Sequence, residues 1–217
     1  MPNNFFPLTA EELVKRINKI PKVNLATLPT ALEYMPNISK ELEINLYIKR
    51  DDCTALAFGG NKTRHLEFIL PKAVSGNYDC IITGASSQSN WCRQTVAAAN
   101  KLNLESFLVV MHGVKGKSMQ GNFLLYNILG ANVDVVDGED LEEIPIHLEK
   151  KYKELVKKGR KPLLINGGFG KEDSVLAGIS YANAMAEIDI QMQNNNFMAD
   201  HLFVTAANMT QAGCDLG

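Results

Sequence analysis

The chain has no excess of positive charge: 22 Lys and Arg stand against 24 Asp and Glu, a formal net charge of −2. Polyanion-binding domains gather basic residues on one face or arm. Here both signs are interspersed, so nucleic acid is not an expected partner. Long apolar runs are also missing. Stretches such as 107–111 fall far short of the roughly 18 residues a membrane span requires, so no membrane segment is expected. Residues 1–7 have neither a basic n-region nor a long apolar core and do not read as a signal peptide, so the expected compartment is the cytoplasm. Cysteine is sparse. Cys53, Cys80, Cys92 and Cys214 form no CxxC pair and have no histidine at zinc-ligand spacing, which predicts reduced structural thiols and no metal site. His65, His112, His147 and His201 share no pattern and are assigned no role. What is present is a globular balance, 46% apolar and 21% charged, enough to bury a core in one domain or two small ones.

Thr9 followed by Glu12 is a capping-box pattern and predicts a short helix carrying Leu13 and Ile17. Pro21 and Pro29 keep the next stretch extended. A second helical segment is expected near 38–42, then a strand over 46–49 running into the charged turn Arg50-Asp51-Asp52. Beyond it, β-rich runs at 80–83, 107–111, 133–136, 163–165 and 202–205 alternate with helical stretches near 90–102, 118–129, 140–158 and 172–190. That alternation predicts an α/β fold, a parallel sheet covered by helices on both faces. Leu124, Leu125, Ile128 and Leu129 make one expected buried stripe, and Ile179, Ala182, Ala186 and Ile190 another. Pro71 falls inside a helix otherwise drawn over 61–74 and should kink or end it. The polar stretch 191–196 reads as a surface loop.

In open α/β sheets, ligands gather beyond the carboxyl ends of the strands, where helix N-termini offer unpaired N–H groups. The loops to search are Gly59-Gly60-Asn61-Lys62, 86–90, 113–118, 167–170 and 206–210. Gly116-Lys117-Ser118 has the tail of a phosphate-binding loop, but the first glycine of GxxxxGK[ST] would be residue 111, which is Met111. Gly167-Gly168-Phe169-Gly170 lacks the GxGxxG spacing of a dinucleotide fingerprint. The segment Ser86-Ser87-Gln88-Ser89-Asn90 sits where a strand meets a helix; its hydroxyls and N–H groups suit an anion, or Ser89 simply caps the helix. Lys62, after two glycines at a helix start, reads either as a surface cation or as an amine pressed into a low-dielectric cleft. In the second case it loses basicity and becomes a Schiff-base nucleophile and proton shuttle.

Several runs together resemble a known family: Tyr47-Ile48-Lys49-Arg50-Asp51-Asp52, then Gly59-Gly60-Asn61-Lys62-Thr63-Arg64, then Gln88-Ser89-Asn90 with Arg93-Gln94-Thr95. Weaker matches at Gly167-Gly168 and Thr210-Gln211-Ala212-Gly213 keep the same order. The chain resembles the D-cysteine desulfhydrase and 1-aminocyclopropane-1-carboxylate deaminase family, fold-type II enzymes that use pyridoxal phosphate and are related to the tryptophan synthase β chain. The resemblance spans about 28–217. It implies a large cofactor-binding domain made of 1–75 with 188–217 and a small α/β domain over 76–187. It implies that Lys62 links covalently to the cofactor and moves the substrate's proton, helped at the catalytic centre by Ser89. Asn90 would bond the cofactor's ring oxygen. Asn61, Asn208 and Thr210 would help bind the cofactor, the 206–210 loop carrying its phosphate. Ser89, Asn90 and Trp91 would line the substrate site, with Trp91 equally readable as a packing anchor. The substrate would be a small amino acid: D-cysteine, giving pyruvate, ammonia and hydrosulfide, or the cyclopropane compound, giving 2-oxobutanoate and ammonia. Residues 60–64 and Cys92-Arg93-Gln94 look more like the desulfhydrase branch. A homodimer is expected by the same resemblance.

Two departures from the family pattern carry their own expectations. The phosphate loop of the family is glycine-rich, whereas Asn208 and Met209 bring side chains into the corresponding stretch, which predicts a weaker grip on the cofactor. Relatives continue past the Thr210-Gln211-Ala212-Gly213 motif, so the large domain is expected to be incomplete here, with a helix near 211 too short to pack and a sheet edge left open to association. The alternative to an enzyme is a catalytically inactive remnant or binding protein of the same fold.

Overall fold

The computed structural model describes residues 8–112, 118–138, 140–165, 170–205 and 209–217. The sequence-predicted N-terminal helix is α1 (Ala10–Ile17), and its capping box forms: Thr9 Oγ1 accepts from the Glu12 amide while the Glu12 carboxylate accepts from the Thr9 amide. Strand β1 (Leu32–Tyr34), helix α2 (Pro36–Leu42) and β2 (Tyr47–Lys49) follow. The two strands pair antiparallel, Leu32 against Lys49 and Tyr34 against Tyr47. Helix α3 (Lys62–Ile69) ends where Pro71 begins α4 (Pro71–Ser75). Proline has no N–H to continue the ladder but suits a first helical turn, so the break falls where the sequence placed it.

The central layer is a four-stranded parallel sheet in the order β5-β4-β3-β6, built from β3 (Cys80–Ser86), β4 (Glu105–Met111), β5 (Asn132–Val136) and β6 (Pro162–Leu164). Cys80 sits opposite both Glu105 and Pro162, so β3 is sandwiched between two partners. Both faces are covered, as the alternation of side chains requires. Ile81, Leu108, Val110 and Leu163 point into one core with residues of α3, of α5 (Asn90–Lys101) and of α6 (Gly121–Ile128). Cys80, Ile82, Val109 and Met111 point into another beneath Ile144, Leu148 and Leu155 of α7 (Ile144–Lys157). Gly84 is the close-approach point, since a Cβ there would lie 2.9 Å from Ile144 Cγ2.

The long helix α8 (Lys171–Asn194) packs on α1, α3 and α9 (Met209–Leu216). Residues 173–187 of α8 bond to the N-terminal part of the chain: Asp173 to Lys72, Ala177 and Ser180 to His65, Tyr181 to Asp51, Glu187 to Arg64. Residues 173–187 of α8, expected with 76–187, thus make their polar contacts with residues 51–72.

Other expectations are corrected. Residues 202–205 form no strand; no strand lies beside them among the described residues, and Phe203 is 89% exposed. Stretch 191–196 is not all loop, because α8 continues to Asn194. The buried face of α6 is Phe123 and Tyr126, while Leu124 and Ile128 are exposed; the Tyr126 hydroxyl donates to the Ser87 carbonyl at 2.7 Å and sets the helix rotation. The helix near 211 does pack. A Cβ on Gly213 would collide with the Gly178 carbonyl, so small residues on both helices bring α9 tight against α8. No helix among the described residues is long and apolar enough to cross a membrane.

Candidate active site

The turn before α3 is shaped by two glycines. Gly59 and Gly60 have φ of 72° and 125°, where a Cβ is costly. A side chain on Gly59 would strike the Asp52 carbonyl, and one on Gly60 would lie 2.5 Å from Gln94 Nε2. The turn is then bonded on every side. The Gly59 carbonyl accepts from Arg93 Nη2 at 2.8 Å and Gln94 Nε2 at 3.0 Å. Thr54 Oγ1 accepts from the Gly60 amide and donates to the Gly60 carbonyl, both at 2.9 Å. Thr63 Oγ1 donates to Gln94 Oε1 at 2.7 Å. Asn61 Nδ2 donates to Thr210 Oγ1 at 3.3 Å. Residues separated by 149 positions, both assigned to cofactor binding by resemblance, are thereby brought together.

Lys62 alone in this turn is left without a side-chain partner among the described residues. Its amine is half-buried, and burial pushes its pKa below the ordinary 10.5. One helical turn on, His65 is 4% exposed, its Nδ1 2.9 Å from Ser180 Oγ. Burial, aided by the Lys62 charge, holds it down to about 3. A neutral imidazole beneath a poorly solvated amine adds no competing charge to it.

At the start of α5, Ser89 caps the helix: its Oγ accepts from the Cys92 amide at 3.2 Å. Its hydroxyl proton remains available to an anion. Asn90 is exposed and its Oδ1 accepts from Asn122 Nδ2 at 2.9 Å. Trp91 is 7% exposed and donates Nε1–H to Thr83 Oγ1 at 2.8 Å. Its indole N–H is thus engaged within the protein, at the second residue of α5. Arg93 has its pKa lowered by burial and makes no ion pair among the described residues. Asn208 lies outside the described residues, as do 113–117 and 166–169, with the greater parts of the 113–118 and 167–170 loops. The Cε of Met209 lies 3.4 Å from where a Gly178 Cβ would be, so the end of its side chain rests on α8.

Sequence reasoning assigned no role to Thr54, Gln94, Arg93 or Asn122, all of which hold the two loops in place. Nor did it anticipate the ion network behind α3. Arg64, 1% exposed, donates to Asp51 through Nε and Nη2 at 2.9 and 2.8 Å and to Glu187 through Nη1 and Nη2 at 3.0 Å each. Lys49 Nζ meets Glu187 Oε1 at 2.5 Å. Burial by itself would raise both carboxyl groups; the hydrogen bonds and charge of Arg64 bring Asp51 and Glu187 below the usual range instead.

A partly buried lysine without a counterion among the described residues thus lies next to Asn61, which is bonded to Thr210 at the start of α9. Pyridoxal phosphate needs an amine for its carbonyl, a donor for its ring oxygen and N–H or hydroxyl groups for its phosphate. Lys62, Asn90 and Thr210 with the start of α9 match those needs, so the residues present fit the group. A family model described as pyridoxal-phosphate dependent enzyme matches residues 23–214, and the chain belongs to that family. A relative from Pyrococcus horikoshii, provisionally named as a 1-aminocyclopropane-1-carboxylate deaminase, is 38% identical over 92% of this chain and 59% of its own length. The D-cysteine desulfhydrase of Klebsiella pneumoniae strain 342 is 30% identical, with 94% of this chain and 62% of that protein covered. The crystal structure of an ACC deaminase homologue superposes with a TM-score of 0.74 at 38% identity, covering 82% of this chain and 53% of that one. The chain thus spans about three fifths of the length of these curated relatives. The alternative of an inactive remnant draws no support from these likenesses.

Proposed function

We propose that this chain carries the lysine-bearing part of a pyridoxal-phosphate-dependent lyase or deaminase acting on a small amino acid, D-cysteine first and 1-aminocyclopropane-1-carboxylate second. The observation that carries the reading is Lys62, partly desolvated and without a side-chain partner among the described residues, in a turn whose neighbour Asn61 is bonded to Thr210. When bound, pyridoxal phosphate supplies an electron sink for the bonds broken at the substrate's α-carbon.

The chain's own residues account for the rest. Burial raises the neutral fraction of the Lys62 amine, which serves first to hold the cofactor carbonyl and then, once released, to accept the substrate's α-proton. Thr210, its hydroxyl bonded by Asn61, grips the phosphate at the start of α9, and the family resemblance assigns Asn208 to the same group. Asn90 donates to the ring oxygen. Ser89 donates its hydroxyl to the substrate carboxylate near the positive end of α5, and Arg93, with no carboxylate partner among the described residues, adds positive potential there. For D-cysteine the α-proton and the C–S bond are lost, and water then releases pyruvate and ammonia beside hydrosulfide.

The preference for D-cysteine rests on residues 60–64 and 92–94. We assign 76–170 to a small sheet-bearing unit and the rest, α8 included, to the cofactor-binding unit. A cytoplasmic homodimer, taken from the family resemblance, completes the reading. The test is direct: with pyridoxal phosphate added, D-cysteine should yield sulfide and pyruvate in equal amounts, and Lys62→Ala should yield neither. Release of 2-oxobutanoate from the cyclopropane substrate with no sulfide from D-cysteine would reverse the preference; neither product from the protein loaded with pyridoxal phosphate would refute the reading.

A further inference from the structure

We infer that Arg93 and Asn122 together set which end of the Asn90 amide faces the cofactor site, and that the end presented is the NH2 donor. The inference rests on the reading above and deepens it by naming the positioning residues behind one of its contacts.

Donor and acceptor identities decide the matter. A guanidinium only donates, and Arg93 Nη1 lies 2.7 Å from one end of the Asn122 amide, which must therefore be Oδ1. A backbone carbonyl only accepts, and the Gln88 oxygen lies 2.8 Å from the other end, which must be Nδ2. Two fixed groups of opposite kind leave Asn122 a single orientation. Its second N–H meets Asn90 at 2.9 Å, so Asn90 turns its Oδ1 inward; the flipped amide would set one NH2 against another. The Asn90 NH2 is left without a partner among the described residues, at an exposed helix start.

The chain of constraint begins at the lysine turn. Arg93 Nη2 is bonded to the Gly59 carbonyl at 2.8 Å, and the Asn122 amide N–H to Gln88 Oε1 at 3.0 Å. The turn carrying Lys62 and the loop carrying Asn90 are thus linked through groups whose polarity cannot reverse. A ligand oxygen that accepts is welcomed at Asn90, and a donor there is refused. Asn122 and Arg93 are positioning residues in this scheme, acting through Asn90.

The experiment compares binding of pyridoxal phosphate with binding of its 3-deoxy analogue, which lacks the ring oxygen, by equilibrium titration. The wild-type protein should prefer pyridoxal phosphate by about tenfold, the scale of one charge-assisted hydrogen bond. In Asn122→Asp both carboxylate oxygens accept, so Asn90 turns its NH2 inward and the preference should fall to about parity. In Asn122→Ala the amide is merely freed, and the preference should fall by about threefold. Leu155→Ala, a cavity in the core under α7, should lower the unfolding midpoint and leave the ratio alone. A wild-type ratio in either folded Asn122 variant overturns the inference, as does a ratio that falls equally in Leu155→Ala, or wild-type protein that binds both compounds alike. Failure of the underlying reading shows separately, as wild-type protein in which borohydride fixes no pyridoxal phosphate onto Lys62.

Discussion

Replacing Arg64 by leucine removes a guanidinium that is 1% exposed and bonded to two carboxylates. Breaking one side of a buried ion pair costs about 3–5 kcal/mol, because the partner charge is left uncompensated. The lower end applies here. Glu187 keeps Lys49 at 2.5 Å, and Asp51 keeps hydroxyl donors from Thr30 at 2.9 Å and Tyr181 at 2.8 Å, so the expected loss is about 3 kcal/mol at pH 7. At a urea slope of about 2 kcal/mol per molar, that moves the midpoint down by about 1.5 M. The pH dependence supplies a second check. In the wild-type protein, Asp51 and Glu187 titrate below their ordinary values, so their stabilisation is present above the unfolded pKa and is lost only as pH falls through the lower folded values. Without Arg64 the two carboxyl groups are no longer held so low, so they take up protons at higher pH than in the wild-type protein and the deficit shrinks on acidification. Urea unfolding followed by circular dichroism measures both. A loss below about 1 kcal/mol, or a deficit that grows toward pH 5, would refute the account of this network.

Three further outcomes are expected. Gly60→Ala places a Cβ at φ of 125° and 2.5 Å from Gln94 Nε2, so it should cost about 2–3 kcal/mol in urea unfolding and abolish cofactor uptake. His65 is buried neutral, with its pKa lowered from 6.5 to about 3; the unfolded chain takes up a proton that the folded one does not, so stability falls as pH drops below 6.5 toward 3. Its slope is at most about 1.4 kcal/mol per pH unit, and His65→Gln should flatten the profile over that window. Finally, competitive acetylation of the cofactor-free protein with peptide mapping should give Lys62 an apparent pKa below 10.5; a value at or above it would contradict the desolvated amine.

Local chemistry made much of the fold legible. Thr9 with Glu12 marks α1 because capping is a short-range bond, and the β-branched runs at 80–83 and 133–136 mark strands of a sheet buried on both faces. Pro71 stops α3 for a reason carried by proline itself. What escaped depends on distant partners. Strand β1 is only Leu32–Tyr34 and exists by pairing with β2, whereas 202–205, richer in β-formers, has no strand beside it among the described residues. The rotation of α6 follows from Tyr126 reaching Ser87, not from its leucines. At the site, the turn around Lys62 could be read because glycines, amide and lysine are contiguous. Gln94, Asn122 and Arg64 could not be given roles, since a polar residue in a helix carries no local sign that its partner lies 29, 31 or 123 positions away.

Everything proposed for the site requires Lys62 to be the amine that takes the cofactor. Adding pyridoxal phosphate, reducing with borohydride and mapping the peptides by mass spectrometry tests it. One dominant phosphopyridoxyl group, on Lys62, is expected, with visible absorbance before reduction that Lys62→Ala lacks. Label spread over surface lysines, or unchanged in that variant, would contradict it.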